Sequence, residues 1–501
     1  MGNEVEDERG NVMRNSVRKN FAYQLIYRIL VILTPLITSP IVARALGAEK
    51  QGTYAATYAF VNYFTLIALL GVENYGSRSI AADQGDKERI QELFWNIYSV
   101  QIIASIIALI AYSVSIIFSN NGRIIISLIQ GLWIVSALFN INWFFQGIEE
   151  FRLTVIRSII VKIIAVLAVV LFIRKPSDLP LYTFIMAGDA ALSSLLVWPF
   201  VWKYIGFTKP KAQLIKCHVK PMFVLFIPVL AITLFHIMDK TMLDIFSTEA
   251  NIGYYTNADK LINIPYGIFT ALGAVMLPRV TNAYSKGEMG TVKKLLKSST
   301  EVSLFLTGAV GLGIASVAKE FIPFFLGPGY EACITLVYWF VPVMFVKAIS
   351  VMIRTQYMIP AHEDKLYTEA LVVGACVNLV ANYLLIRKLG ALGAVIGTLI
   401  SEMAVLVFEM IGTRNEIDFC HMITCNLFYI PAAVVMMIVV RLSAEIFNYV
   451  PILIRLAFMV FSGGITYLMV CLIYWTINRK SLFAPYIINI ASKVKKNSKR
   501  S

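Results

Sequence analysis

Cationic side chains interrupt stretches of this sequence that are otherwise apolar, among them Arg28, Lys162, Lys260, Lys347 and Arg455. A cation at the centre of a bilayer costs roughly 2.5–3.5 kcal/mol on insertion scales, so such residues face a cavity or a partner. The chemistry they offer is the binding of an anion. Arg28 is the first candidate for a phosphorylated ligand, because a guanidinium donates forked, charge-assisted hydrogen bonds to phosphate oxygens. Lys347, with Arg354 one to two turns on, is the second, and Lys162 is a further candidate. Arg78 and Arg279 close apolar runs and would stand near a mouth. Each has a plainer reading as a snorkelling helix end or an internal ion pair. Glu73 and nearby carbonyls would satisfy Arg78, Asp259 adjoins Lys260, and Arg455 falls in the last apolar run.

A second set offers hard oxygens and titratable groups. Asp239, the pair Asn378 and Asn382 one turn apart, and Thr398 would present ligands to a coupling ion, while Asp189 and Glu402, with His236 third, are rival proton carriers. The competing reading is that Asn and Thr in such helices simply bond across to a neighbour. Tyr23, Tyr27, Tyr58, Tyr63 and Trp143 would either stack on sugar faces or form interfacial belts. Pro35, Pro40, Pro228 and Pro342 are expected bends. The six cysteines are scattered, which argues against a disulfide framework. Cys420-His421 with Cys425 reads as lipid-boundary filler rather than a metal site, and no cofactor beyond a sodium ion or a proton is expected.

The elements that must hold these groups are membrane spans. Of 501 residues, 58% are hydrophobic and only 15% charged, with a mean hydropathy of +0.72. At about 20 apolar residues per crossing, the chain reads as about fourteen transmembrane helices, all-α, with no room for a soluble catalytic domain. Apolar runs lie near 21–43, 54–76, 91–118, 124–146, 153–173, 179–202, 221–243, 254–278, 301–325, 331–353, 367–386, 391–411, 422–447 and 451–477. The charged segment Met1 to Asn20 has no apolar core, so a removable signal peptide is not expected. The net charge of +14 reads as topology rather than nucleic-acid binding, because the Lys and Arg residues concentrate on the side of both termini, expected to be cytoplasmic. The largest groups are Lys203 to Lys220, Lys286 to Lys297 and the tail from Lys493, which would also meet anionic headgroups.

The basic stretch 203–220 divides two similar halves. An offset of 201 positions aligns Gly52 with Gly253, Tyr54 with Tyr255, Asn62 with Asn263 and Arg78 with Arg279. A second echo relates Gly147-Ile-Glu-Glu-Phe-Arg152 to Pro360-Ala-His-Glu-Asp-Lys365. The expected organisation is a cytoplasmic segment 1–20, a six-helix bundle 21–202, a linker 203–220, a second bundle 221–411, two appended helices 412–477 and a basic cytoplasmic tail 478–501.

Three segments in order, Pro40-IVARALGAEKQGTYAATYAF, Asp239-KTMLDIFSTEANIGYYTNADKL and Leu389-GALGAVIGTLISE, resemble the polysaccharide transporter family of the multidrug/oligosaccharidyl-lipid/polysaccharide (MOP) flippase superfamily. The resemblance covers essentially the whole chain. It implies a V-shaped, MATE-like pair of bundles around a central cavity, alternating access, and translocation of an undecaprenyl-diphosphate-linked oligosaccharide to the outer leaflet of the bacterial inner membrane. It also implies a polysaccharide polymerase and a chain-length regulator as partners. The set Asp239, Asn378, Asn382 and Thr398 is similar to the sodium site of related cell-wall precursor flippases, departing from it at Asn382, where a carboxylate would be expected. An organic-cation exporter would want an acidic cavity, and the in-span cations argue against it. A polymerase or ligase would want a large external loop or a catalytic motif, and neither H-E-x-x-H, a Gly-rich phosphate loop nor G-x-S-x-G is present. A passive scaffold remains the third alternative.

Overall fold

The computed structural model describes residues 2–83, 86–119, 122–478 and 481–485, with side chains from residue 26 onward except at 28, 228, 231, 235, 236, 268 and 270. Arg28, His236, Pro228, Tyr23 and the basic tail from Lys493 therefore lie outside what is described below.

Helix α1 (Gly2–Leu69) runs on through Pro35 and Pro40 and turns at Gly47, between the first two predicted runs, where φ is +72° and ψ 171°. Only glycine takes that conformation without a clash at Cβ. The first two predicted runs are thus the two arms of α1. The chain continues through α2 (Val72–Ala82) and α3 (Lys87–Ser119). The fourth predicted run is one membrane-length stretch, Ile124–Gly147, built of three short helices, α4 (Ile124–Gln130), α5 (Leu132–Leu138) and α6 (Asn142–Gly147), interrupted at Gly131 and at 139–141, where Gln101 donates to the Ala137 and Asn140 carbonyls at 2.6 and 2.9 Å. Then come α7 (Phe151–Phe172), α8 (Leu179–Leu195), α9 (Trp198–Val201) and α10 (Ala212–Phe246), the last holding the seventh run. Helix α11 (Glu249–Ser285) bends by 41° between Gly267 and Ala271, just past Pro265. There follow α12 (Met289–Thr307), α13 (Gly313–Leu326), α14 (Ala332–Ile353), α15 (Asp364–Leu389), α16 (Ala391–Thr413), α17 (Phe419–Thr424), α18 (Tyr429–Ile446) and α19 (Ile452–Ile477). No strand occurs among the described residues. Eleven of these helical stretches are long and apolar enough to cross a membrane, twelve if the bent pair in α11 counts as one, and one of the eleven, Ile29–Ala82, contains the turn at Gly47.

The chain forms two compact units, Met1–Gly253 and Tyr254–Ser501. The boundary differs from the expected linker at 203–220, because α10 packs on α1, α2 and α3 and so joins the first unit. That unit is centred on Phe94, Trp143, Phe144 and Phe145, all fully buried. Trp143 is therefore neither a sugar platform nor a belt residue: its indole stacks on Phe94 and donates to Gln101 Oε1 at 3.1 Å. A side chain at Gly76 would run into it. In the second unit, Tyr429, Tyr467, Met436 and Trp475 build the core. The Glu301 carboxylate accepts from Tyr429 Oη (2.8 Å), the Leu482 amide (2.9 Å) and Ser481 Oγ, which ties the segment after α19 to α12. Between α15 and α16, Cβ atoms at Gly393 and Gly397 would collide with Leu385 and Asn382, so small residues permit the close approach that helices in lipid need for packing and cross-helix bonds.

The repeat inferred from sequence is visible in the backbone. A Cβ at Gly52 would strike the Glu249 carbonyl, and a Cβ at Gly253 would strike that of Ala48. Residues 48 and 249, like 52 and 253, are 201 apart, so the two hairpins clasp each other reciprocally. The second echo is matched too: Glu149 (φ +60°) and His362 (φ +58°) are both left-handed, and each is followed by an amide bonding five residues back, Glu150 to Phe145 and Glu363 to Met358, both at 2.9 Å.

Candidate functional site

Seven residues advance an α-helix by about two turns, returning to nearly the same face. Helix α14 and its continuation carry Lys347 and Arg354 at that spacing, and the packed helix α16 carries Glu402 and Glu409 at the same spacing. Two cations on one helix thus accompany two carboxylates on its neighbour. The lower rung is closed: Arg354 Nη1 lies 3.3 Å from Glu409 Oε1, their side chains are 9% and 0% exposed, and Ser350 Oγ donates to Glu409 Oε2 at 2.7 Å. The upper rung is open. Lys347 Nζ stands 4.9 Å from the ring centre of Tyr266 on α11, a cation–π contact, with no carboxylate within 4 Å among the described residues. Glu402 is buried, and its Oε2 meets no hydrogen-bond partner among the described residues. Tyr266 lies within electrostatic range of Arg354, Glu402 and Glu409. Arg354 opens a π-helical turn, Arg354–Met358, closed by the Ile359 amide on the Arg354 carbonyl at 3.1 Å. Such turns add a residue to one helical turn and recur at functional positions. The arrangement can do two things: present cations to phosphate oxygens, and take a proton or metal cation on a carboxylate.

Sequence reasoning named Lys347, Arg354 and Glu402, but not Glu409, an acid within an apolar run that gains its meaning from a partner 55 positions away. The other predicted residues fall as follows. Lys162 on α7 is ion-paired with Asp189 on α8, joining two residues assigned separate roles. Arg78 and Arg279 are exposed, and Glu73, the expected partner of Arg78, instead accepts from Asn140 Nδ2 at 3.0 Å. Asp239 is buried on α10 in the first unit; Asn378, Asn382 and Thr398 belong to the second. There, Asn382 Nδ2 donates to Asn378 Oδ1 at 3.0 Å, and Thr398 Oγ1 donates to the Ala394 carbonyl at 2.9 Å. Asn378 Oδ1 is thus an acceptor within the protein and Thr398 Oγ1 a donor. Lys260 and Asp259 adjoin on α11, and Arg455 reaches Glu320 on α13 at 3.3 Å.

The first unit holds a clasp that sequence reasoning missed. Arg123, in the connection after α3, donates through Nη1 to Asp244 (2.6 Å) and through Nε to Glu249 (2.7 Å), the residues flanking the α10–α11 turn. Thr53 Oγ1 donates to the other oxygen of Glu249. Burial alone would weaken the Arg123 cation, but the two carboxylates outweigh it and hold its pKa above the ordinary value. A cavity of about 240 Å³ lies beneath, lined by Thr57, Phe60, Thr241 and Asp244. The sequence signal was a lone arginine opening an apolar run.

The polysaccharide biosynthesis protein family matches residues 17–283, more than half of the chain. A putative O-antigen transporter of Escherichia coli (strain K12) is 23% identical over 412 residues, covering 81% of this chain and 99% of its own length. The lipid II flippase MurJ of Bacillus subtilis (strain 168) is 23% identical, covering 79% and 82%. Among solved structures, the inward closed conformation of lipid II flippase MurJ superposes with a TM-score of 0.71 at 13% identity, covering 90% of this chain and 99% of that one. An inward-facing multidrug resistance MATE transporter of the MOP superfamily gives 0.60 at 14% identity, covering 78% and 98%. These structures share this fold.

Proposed function

Because the chain belongs to the polysaccharide biosynthesis protein family, within the MOP superfamily, we propose that it is a flippase that moves an undecaprenyl-diphosphate-linked oligosaccharide from the cytoplasmic to the outer leaflet of a bacterial plasma membrane. Relatives bearing the names O-antigen transporter and lipid II flippase support the substrate class. The prenyl tail can stay in hydrocarbon; the diphosphate and sugars cannot. The observation that carries the reading is the α14–α16 ladder, two cations and two carboxylates inside apolar helices, an expensive arrangement unless it is used.

Lys347, held on a ring rather than on a carboxylate, makes the first contact with the diphosphate. Arg354 does not leave Glu409 unaided, since either charge alone in that setting is costly. It leaves by exchange: phosphate oxygens take the place of the carboxylate at Arg354, and a proton or sodium ion takes the place of the guanidinium at Glu409. Glu402, with an open oxygen one rung away, relays that cation. Coupling therefore sits in one ion pair rather than in a separate site, and both termini stay cytoplasmic throughout.

The test is a flip assay in liposomes carrying a fluorescent prenyl-diphosphate glycan, with dye quenching from outside. Losing a charge-assisted phosphate contact removes about 1.5–3 kcal/mol, or roughly ten- to a hundredfold in rate. Lys347→Ala, Arg354→Ala and Arg28→Ala should each fall in that range. Wild-type rates in folded Lys347→Ala and Arg354→Ala, or export of a lipophilic cation in place of the glycan lipid, would overturn the reading.

A further inference from the structure

We infer that the second unit carries a separate binding site for a phosphodiester-type monoanion, at the turn between α18 and α19. A cavity of about 720 Å³ opens there, lined by Lys319 and Glu320 of α13, Arg441 and Glu445 of α18, Asn448 of the turn and Arg455 of α19. Two arginines converge on one buried carboxylate: Arg441 Nη1 reaches Glu320 Oε2 at 2.7 Å, and Arg455 Nη2 reaches Oε1 at 3.3 Å. Arg441 Nη1 also donates to the Ser316 carbonyl at 3.2 Å, and Arg455 Nη1 to Asn448 Oδ1 at 2.8 Å.

A pin between helices needs one arginine for one carboxylate. Here a second is present, and its Nε is buried with no hydrogen-bond partner among the described residues. The lining holds three cations against two carboxylates, Glu320 and the exposed Glu445, which leaves one positive charge uncompensated. The missing complement is a group of charge −1 with several acceptor oxygens, which is what a phosphodiester or dihydrogen phosphate supplies. Pro323 and Phe324 of α13 and Ile452 of α19 complete the lining with apolar surface suited to acyl chains. The phosphate can thus come from a lipid headgroup or from solution. The site is independent of what the protein carries.

Asn448→Asp is the discriminating variant. It keeps the acceptor for Arg455, sits on an exposed turn, and neutralises the excess charge. Purified full-length protein is delipidated in neutral detergent, and native mass spectrometry measures retention of added phosphatidylglycerol against phosphatidylcholine. A parallel titration follows protection from thermal unfolding by inorganic phosphate. Expected is a phosphatidylglycerol preference of about tenfold or more in the wild type, abolished in Asn448→Asp and in Arg455→Gln. Phosphate protection without a lipid preference, again lost in Asn448→Asp, assigns the same site to free phosphate. Equal retention of both lipids with no phosphate protection, or a preference unchanged in Asn448→Asp, overturns the inference.

Discussion

The pair Arg354–Glu409 allows stability and transport to be separated. With side chains 9% and 0% exposed, neither group can reach water when the other is removed. Arg354→Met strands a carboxylate that keeps only Ser350, and Glu409→Leu strands a guanidinium. Removing one member of a buried pair typically costs about 3–5 kcal/mol, whereas replacing both with apolar residues of similar volume is neutral or stabilising. The double variant leaves Ser350, whose hydroxyl can turn back to the carbonyl one helical turn earlier. Each single variant should therefore lose about 3–5 kcal/mol and the double variant no more than about 1 kcal/mol, a strongly non-additive cycle. Denaturant unfolding in detergent measures it, and the flip assay is run on the same four proteins. A pair used in exchange gives a double variant that is stable and inactive. A double variant with full transport would mean that the two residues only pin α14 to α16, and singles costing less than about 1 kcal/mol would mean that the pair is hydrated after all.

Glu402→Gln keeps a hydrogen-bonding side chain but cannot take a proton; it should flatten the pH dependence of transport while leaving the unfolding midpoint within about 1 kcal/mol of wild type, and an unchanged pH profile would remove Glu402 from coupling. Gly52→Ala and Gly253→Ala each push a methyl into a backbone carbonyl and should destabilise by about 1–3 kcal/mol, with closely similar shifts on thermal unfolding; a shift in only one would deny that their environments are equivalent. Arg123→Gln leaves Asp244 and Glu249 facing each other, so a cysteine placed at Thr57 should label faster with a membrane-impermeant thiol reagent, and an unaltered labelling rate would show that the clasp does not guard the cavity.

The spans were legible because about 20 consecutive apolar residues have few other uses. The first hairpin falls where the gap between the runs 21–43 and 54–76 put it, and its turn is at Gly47 because the positive φ there demands glycine. Interruptions within a span were less legible. The fourth run is interrupted at 139–141 because Gln101, on another helix, supplies the bonds that let α5 end, and no local pattern reports that donor. Lys347 and Arg354 announced themselves as cations in hydrocarbon, and their spacing was readable. Glu409 was not, since its role depends on a neighbour brought close by packing. Trp143 shows the opposite failure: an aromatic near the end of an apolar run resembles a belt residue until the fold wraps Phe94 and Phe144 around it.

The mutual clasp of the two glycine hairpins binds the history of one half of the chain to that of the other. Whatever change at position 52 alters the room left for the backbone at 249 is felt again, in mirror form, at 253 and 48. Elsewhere the duplicated segments can drift apart freely. At this junction a tolerable change must suit both copies together, so the smallest side chains in the repeat carry its longest memory.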